Sequence, residues 1–287
     1  MTGAGSGIGR ACALRCASEG ANVLVADIDE QAACATAALI AKKTRGCSGK
    51  TAVLAVDISK SAEVEKMVRA AVEQFGGLDG AVNCAGIEGE RAGIDKMSLE
   101  NFDRVMGVNA RGLFLCMRAE VRQMLKQIAD GERERAEARG SNDDDDVASS
   151  QNSSSVCCGT FSQDAAIDQT PCSIVNISST AGSHGMPEFA AYCASKHAVL
   201  GLTRAVAGEV ASRGITVNAV LPSTTDTPMV RRFARQWPAW QAQQNASFAI
   251  GRVCRPEEIA AAVVFLLSGE CRAIAGSTLV VDGASRL

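Results

Sequence analysis

Three residue types at fixed spacing could do chemistry in this chain. Ser179 is followed by Tyr192, its only tyrosine, and Tyr192 by Lys196 four residues on. A phenol is a poor acid or base at neutral pH, because its unperturbed pKa is about 10. A fixed ammonium nearby favours the phenolate and brings that value toward the working range. On a helix, positions i and i+4 share a face, so Lys196 can lie beside Tyr192. Ser179 ends the apolar run Ser173-Ile-Val-Asn-Ile-Ser178. That sets a hydroxyl at the carboxyl end of a strand, where open α/β sheets bind ligands. Tyr-x-x-x-Lys alone also occurs on ordinary surface helices, so the reading depends on what surrounds it.

The elements that would position these groups begin at the amino end. The chain opens Met1-Thr-Gly-Ala-Gly-Ser-Gly-Ile-Gly9 and runs into a small-residue helical pattern. Glycines let the backbone approach a pyrophosphate, and a helix N-terminus favours the anion. The next strand, Asn22-Val-Leu-Val-Ala-Asp27, ends on an acid eighteen residues past Gly9. A carboxylate there can bond both ribose hydroxyls of an adenosine, and it repels a 2′-phosphate. A glycine run alone is equally a flexible loop; followed by helix, strand and acid, it points to dinucleotide binding.

Strands and helices then alternate. A helix is expected over about Glu30 to Lys43, a strand over Thr51 to Asp57 and a helix over about Ala62 to Phe75. Asp57 and Ile58, at a strand end, could touch an adenine, and Asp57 is compatible with a helix cap as well. A short strand around Leu78 to Asn83 leads into the small-residue turn Asn83-Cys-Ala-Gly86. Ser98 to about Gln127 reads as a long helix, and Asn109 inside it is unfavourable by propensity, so it marks a site or a polar helix bend. Residues 129–171 are charged, then rich in Asp, Ser and Asn, and read as a disordered surface insertion. It divides the chain into a dinucleotide-binding half, 1–128, and a catalytic half, 172–287, of the same domain. In the second half the Tyr192 helix runs to about Ser212. A strand follows to Pro222, then a hydroxyl-rich loop holding Thr225 and Thr227. Phe233, Trp237 and Trp240 suit a lid over an apolar substrate or packing on the core or a subunit. Pro256 opens a helix with carboxylates in its first turn, and Ser277 to Asp282 is the last strand. This order implies right-handed crossovers and one parallel sheet with helices on both faces.

Composition agrees. Of 287 residues, 47 % are hydrophobic and only 4 % aromatic, which suits close helix-on-sheet packing. A net charge of −3 without a basic block argues against a nucleic-acid surface. No apolar run is long enough to span a bilayer, and no secretory signal is visible. The twelve cysteines show no C-x-x-C spacing, so reduced thiols in a cytoplasmic setting are expected, and no metal site.

Taken together, Thr2-Gly-x-x-x-Gly-x-Gly9, Asn83-x-Ala-Gly86, Asn109, Ser179, Tyr192-x-x-x-Lys196 and Pro222-x-x-x-x-Thr227 resemble the short-chain dehydrogenase/reductase family. The likeness covers the chain outside 129–171, with the motifs in the family's order and spacing. It implies a Rossmann-type doubly wound parallel sheet and hydride transfer between a secondary alcohol and a ketone. Tyr192 would be the general acid/base and Lys196 would hold the nicotinamide ribose and lower the tyrosine pKa. Ser179 would bond the substrate oxygen, and Asn109 would keep a water in a proton relay. Gly3, Ser6, Ile8 and Gly9 would line the pyrophosphate, and Asp27 the adenosine ribose. Asp57 and Ile58 would meet the adenine, Asn83, Ala85 and Gly86 the adjacent ribose, and Thr225 and Thr227 the nicotinamide end. With Asp27 present and no basic residue in the glycine loop, NAD is favoured over NADP. The family commonly forms homodimers or homotetramers. A nucleotide-binding sensor or scaffold without turnover, or an inactive fragment, is the competing reading.

The chain departs from the family's pattern in several places. Only Met1 stands where an apolar first strand is usual, so a truncated first strand is expected. Ser223 and Ala284 replace common glycines. Ser285-Arg286-Leu287 resembles a peroxisomal address; were it one, acyl thioesters would be favoured, and Arg231, Arg232 and Arg235 would be candidate phosphate contacts.

Overall fold

The computed structural model describes residues 1–44, 49–140, 172–237 and 248–285. Helix α1 (Gly7–Ser18) precedes strand β1 (Val23–Asp27). Helix α2 (Glu30–Lys43) starts where the Asp29 carboxylate accepts the Ala32 N–H, and it ends on two lysines, matching the helix dipole at both ends. After β2 (Thr51–Ala55), α3 (Ser61–Phe75) buries Val64, Met67, Val68 and Ala71, an i, i+3, i+4, i+7 stripe facing the sheet. Strand β3 (Gly80–Asn83) is followed by α4 (Leu99–Met106), a π-helical turn (Gly107–Gly112) and α5 (Leu113–Gly140). Helix α5 runs well past the end expected near Gln127. The rest of the expected insertion, 141–171, lies outside the described residues.

Strand β4 (Cys172–Ile177) is buried at every position and β5 (Ile215–Pro222) at nearly every one, as strands covered on both faces must be. Between them lies α6 (Ala190–Val210); α7 (Pro228–Gln236), α8 (Pro256–Leu267) and β6 (Thr278–Val281) complete the order. Gly283 and Ala284 after β6 both have positive φ, 61° and 55°. The left-handed backbone at Ala284 explains why glycine suits this position.

All the strand pairs are parallel, but they form two groups: β2 with β1, and β3-β4-β5-β6 in order. Met1 and Thr2 join the groups. The Met1 ammonium donates to the Leu24 carbonyl (2.9 Å), and the Ala26 N–H donates to the Met1 carbonyl (2.9 Å). On the other side the Thr2 N–H donates to the Val82 carbonyl (3.0 Å). The expected first strand is therefore reduced to a two-residue stitch at the site end of the sheet. Beyond it β1 and β3 face each other across a slot of about 780 Å3, walled by Met67, Phe75, Val264 and the Glu120 carboxyl.

Candidate active site

A cleft of about 350 Å3 opens where the carboxyl ends of β1, β3, β4 and β5 meet the glycine loop. Ser179, Tyr192 and Lys196 stand together in it. Ser179 leaves β4 in extended backbone and caps a short 3-10 turn, its Oγ accepting the Ala181 N–H (3.1 Å). Its hydroxyl is near enough to the Tyr192 phenol to favour the ionised form. Tyr192 lies in the first turn of α6 and Lys196 one turn on, with its Nζ 5.8 Å from the phenol ring centroid. That Nζ donates to the Ile177 carbonyl (2.9 Å).

Burial dominates both titrations. It pushes Tyr192 up to about 12, against the pull of Ser179, and Glu88 adds to the rise. It draws Lys196 down to about 8. The phenol pKa lowered by lysine, expected from the spacing, is therefore not met in the protein alone. Desolvation outweighs an ammonium whose hydrogen bond goes to a carbonyl.

Asn109 does not face the cleft; it lies behind it in the π-turn, 2 % exposed. Its Oδ1 accepts the Ile87 N–H (2.8 Å), and its Nδ2 donates to the Ile87 carbonyl (2.8 Å) and to Ser195 Oγ (3.0 Å). Ser195 Oγ in turn donates to the Tyr192 carbonyl (2.7 Å). Asn109 is thus both a helix bend and part of the site's frame. Ser195 was missed, although its place beside Lys196 on the Tyr192 helix was the available signal.

The side of the cleft at the glycine loop contains Gly3, Ser6, Ile8, Asp27, Asp57 and Ile58. Gly3 has φ 61°, and a Cβ on it would lie 2.7 Å from the Ala85 nitrogen, so the loop must hug the β3 turn. Gly9 sits behind the loop; a Cβ there would be 2.1 Å from the Gly3 carbonyl oxygen. Ser6 is the N-cap of α1 but makes no side-chain cap bond, and the first turn has no acid. Its hydroxyl and the helix N–H groups are therefore available to an anion. Asp27 accepts the Gly5 N–H (2.8 Å) and the Asp29 N–H (3.0 Å), which fixes its carboxylate at the loop. Asp57 is not the cap of α3, which is Lys60; its carboxylate accepts the Ser59 N–H (3.0 Å) and hydroxyl (2.7 Å). These features fit a dinucleotide: a glycine cradle, a free helix end and an acid at the following strand.

Ala85 and Gly86 line the cleft, as do Thr225 and Thr227. The Asn83 side chain does not: it turns into the sheet, donating to Glu120 (2.9 Å) and to Asn176 Oδ1 (3.1 Å). Ile28, Ile87 and Met229 also line the cleft, though no motif pointed to them, and so do Cys84 of the turn after β3 and Arg232 of the three arginines noted above. Among the described residues no cluster of His, Cys, Asp or Glu is placed to hold a metal, and no helix is long and apolar enough to cross a membrane.

Comparison with known proteins agrees with this arrangement. A family model described as enoyl-(acyl carrier protein) reductase matches residues 3–132 and 135–284. A 2,5-dichloro-2,5-cyclohexadiene-1,4-diol dehydrogenase of Sphingobium indicum is 34 % identical over 283 residues, covering 99 % of this chain and 94 % of that protein. A protein of Armillaria gallica named as a short-chain dehydrogenase/reductase is 35 % identical over 287 residues, covering 99 % and 93 %. The crystal structure of a 3-ketoacyl-(acyl-carrier-protein) reductase from Brucella melitensis complexed with NADH superposes with a TM-score of 0.78 at 31 % identity, covering 100 % and 96 % of the two chains. With whole-chain matches in both sequence and fold, and a parallel α/β sheet carrying the Ser/Tyr/Lys cleft at its carboxyl edge, the chain belongs to the short-chain dehydrogenase/reductase family of oxidoreductases.

Proposed function

We propose that this protein interconverts a secondary alcohol and a ketone with NAD(H), Tyr192 serving as general acid/base. The observation that carries the reading is that Ser179, Tyr192 and the buried Lys196 share one cleft with the glycine loop and Asp27. The nicotinamide, when bound, supplies or accepts the hydride. The rest falls to the chain. Gly3, Ser6, Ile8 and the α1 N-terminus would hold the pyrophosphate, and Asp27 the adenosine ribose. Asp57 and Ile58 would flank the adenine. Lys196 would hold the other ribose, with Thr225 and Thr227 at the nicotinamide end. Ser179 would orient the substrate oxygen. A phenol held near 12 is protonated at neutral pH, so Tyr192 stands ready to donate a proton to a carbonyl oxygen. The reverse reaction needs the phenolate, and should gain rate as pH rises.

Titration with NADH and NADPH, followed by turnover on a ketone panel, tests this. NADH should bind at least about tenfold more tightly than NADPH, and Asp27→Ala should narrow that gap. Tyr192→Phe should keep NADH binding and lose about 10²–10⁴-fold in turnover. Binding without turnover of any ketone would favour the sensor or scaffold reading. Loss of NADH binding would overturn both.

A further inference from the structure

Three segments converge just beyond the catalytic end of the cleft. They are the turn after β3, the loop before α6, and α7 after β5. Each follows the carboxyl end of a strand that positions the site. The Arg91 Nε donates to the Glu188 carboxylate (2.6 Å), and the Ala92 N–H donates to the Glu188 carbonyl (2.9 Å). The Arg91 guanidinium also lies over the Trp237 ring, 5.2 Å from its centroid. Trp237 packs on Phe233 with centroids 4.4 Å apart, and Phe233 on Phe189 at 5.7 Å. Glu188 has φ 68°, a backbone conformation rarely adopted outside glycine. The ion pair and the Ala92 bond hold it there, so the contact is a clasp closed against local strain.

This aromatic group lies beyond the residues that line the cleft and adjoins them in the chain. Phe189 is the N-cap residue of α6, and Tyr192 follows in the first turn. Phe233 stands one helical turn beyond Met229, which lines the cleft with Ile87 and Val230. Two of the cations nearby are matched. Arg91 is paired with Glu188, and Arg231 is held by both oxygens of Asp226 (2.6 and 2.7 Å). Arg232 lines the cleft, and its charge opposes the rise that burial gives the Glu88 carboxyl. A phosphate or carboxylate handle directed at Arg91 or Arg231 would have to displace a carboxylate already bound there. A neutral apolar ring would displace none, and it would meet aromatic faces without the loss of freedom that a flexible chain suffers on binding.

Building on the alcohol/ketone reading above, we propose that Phe189, Phe233 and Trp237, clasped by Arg91 and Glu188, form a wall that selects uncharged ring alcohols and ketones. Arg231, held by Asp226, is then not a phosphate contact.

The test compares cyclohexanol with 2-hexanol, secondary alcohols of the same carbon count, with NAD. Cyclohexanol should have a kcat/KM at least tenfold higher. Trp237→Ala and Phe233→Ala should each erase most of that preference by raising the cyclohexanol KM, while NADH binding is kept. Trp237→Phe, which restores a ring, should recover it. The chain's other tryptophan, Trp240, lies outside the described residues. In Trp240→Phe protein, cyclohexanone should therefore quench the remaining emission, even if an alanine variant does not fold. Equal kcat/KM values for the two alcohols, or no quenching by cyclohexanone, would overturn the proposal while leaving the alcohol/ketone reading intact. Turnover of neither alcohol, nor of any ketone, would overturn both.

Discussion

Glu120 has no place in the reaction, yet it is the most consequential ionisable residue away from the cleft. It is 3 % exposed, facing the slot, with the Asn83 amide donating to it. Burial pushes its carboxyl up to about 7, against the pull of Asn83 and of the Met1 ammonium. The folded value exceeds the ordinary one of about 4.5, so the folded chain binds more protons than the unfolded chain between those pH values. Its contribution to stability is full below about pH 4.5 and is lost as pH rises through about 7. Glu120→Gln should therefore raise stability above pH 7 by up to about 3 kcal/mol and leave it little changed near pH 4. Denaturant melts at both pH values would check this; an equal shift at both would refute the titration as the cause. Lys196 has the opposite sense: its folded value of about 8 lies below the usual lysine value, so its term grows more favourable as pH rises from about 8 toward 10.5. At this scale the sequence was legible where spacing dictates a shared helix face, as for Tyr192 and Lys196. It was not legible where burial decides, as for the raised phenol and the inward turn of Asn83.

At the scale of elements, the π-turn between α4 and α5 couples a distortion to a site. An asparagine amide in the middle of a helix needs partners, and here Ile87 and Ser195 supply them. The bend ties the turn after β3 to the first turn of α6. Asn109→Ala would leave the Ile87 N–H and carbonyl without these bonds, at about 1–3 kcal/mol for each buried group left unpaired. We expect a lower Tm and a kcat loss that exceeds the KM change, because the Tyr192 carbonyl loses its fixed neighbour. Calorimetry with steady-state kinetics would show it; a Tm loss with kcat unchanged would mean that Asn109 is purely structural. The alternation of strands and helices was readable because β4 and β5 are mostly apolar runs and α3 has a clean stripe. The reach of α5 to Gly140 was not, because its last turns are charged and their composition resembles a solvated loop.

For the molecule as a whole, α4 and α5 leave Leu99, Phe102 and Phe114 exposed, and α8 and β6 leave Phe265 and Val280 exposed. Apolar side chains of this size on neighbouring helices suit self-association, and we expect a homodimer or homotetramer. Light scattering on the protein and on Phe114→Glu should show a smaller species for the variant; a monomer in both cases would refute it. The divided sheet has a consequence for how the fold comes apart. Where β1 and β3 face each other without pairing, the two groups of strands are stitched by Met1 and Thr2, bonded to Leu24 and Ala26 on β1 and to Val82 on β3. Under load, that line is where the β1-β2 pair should part from the other four strands, before either group loses a bond of its own.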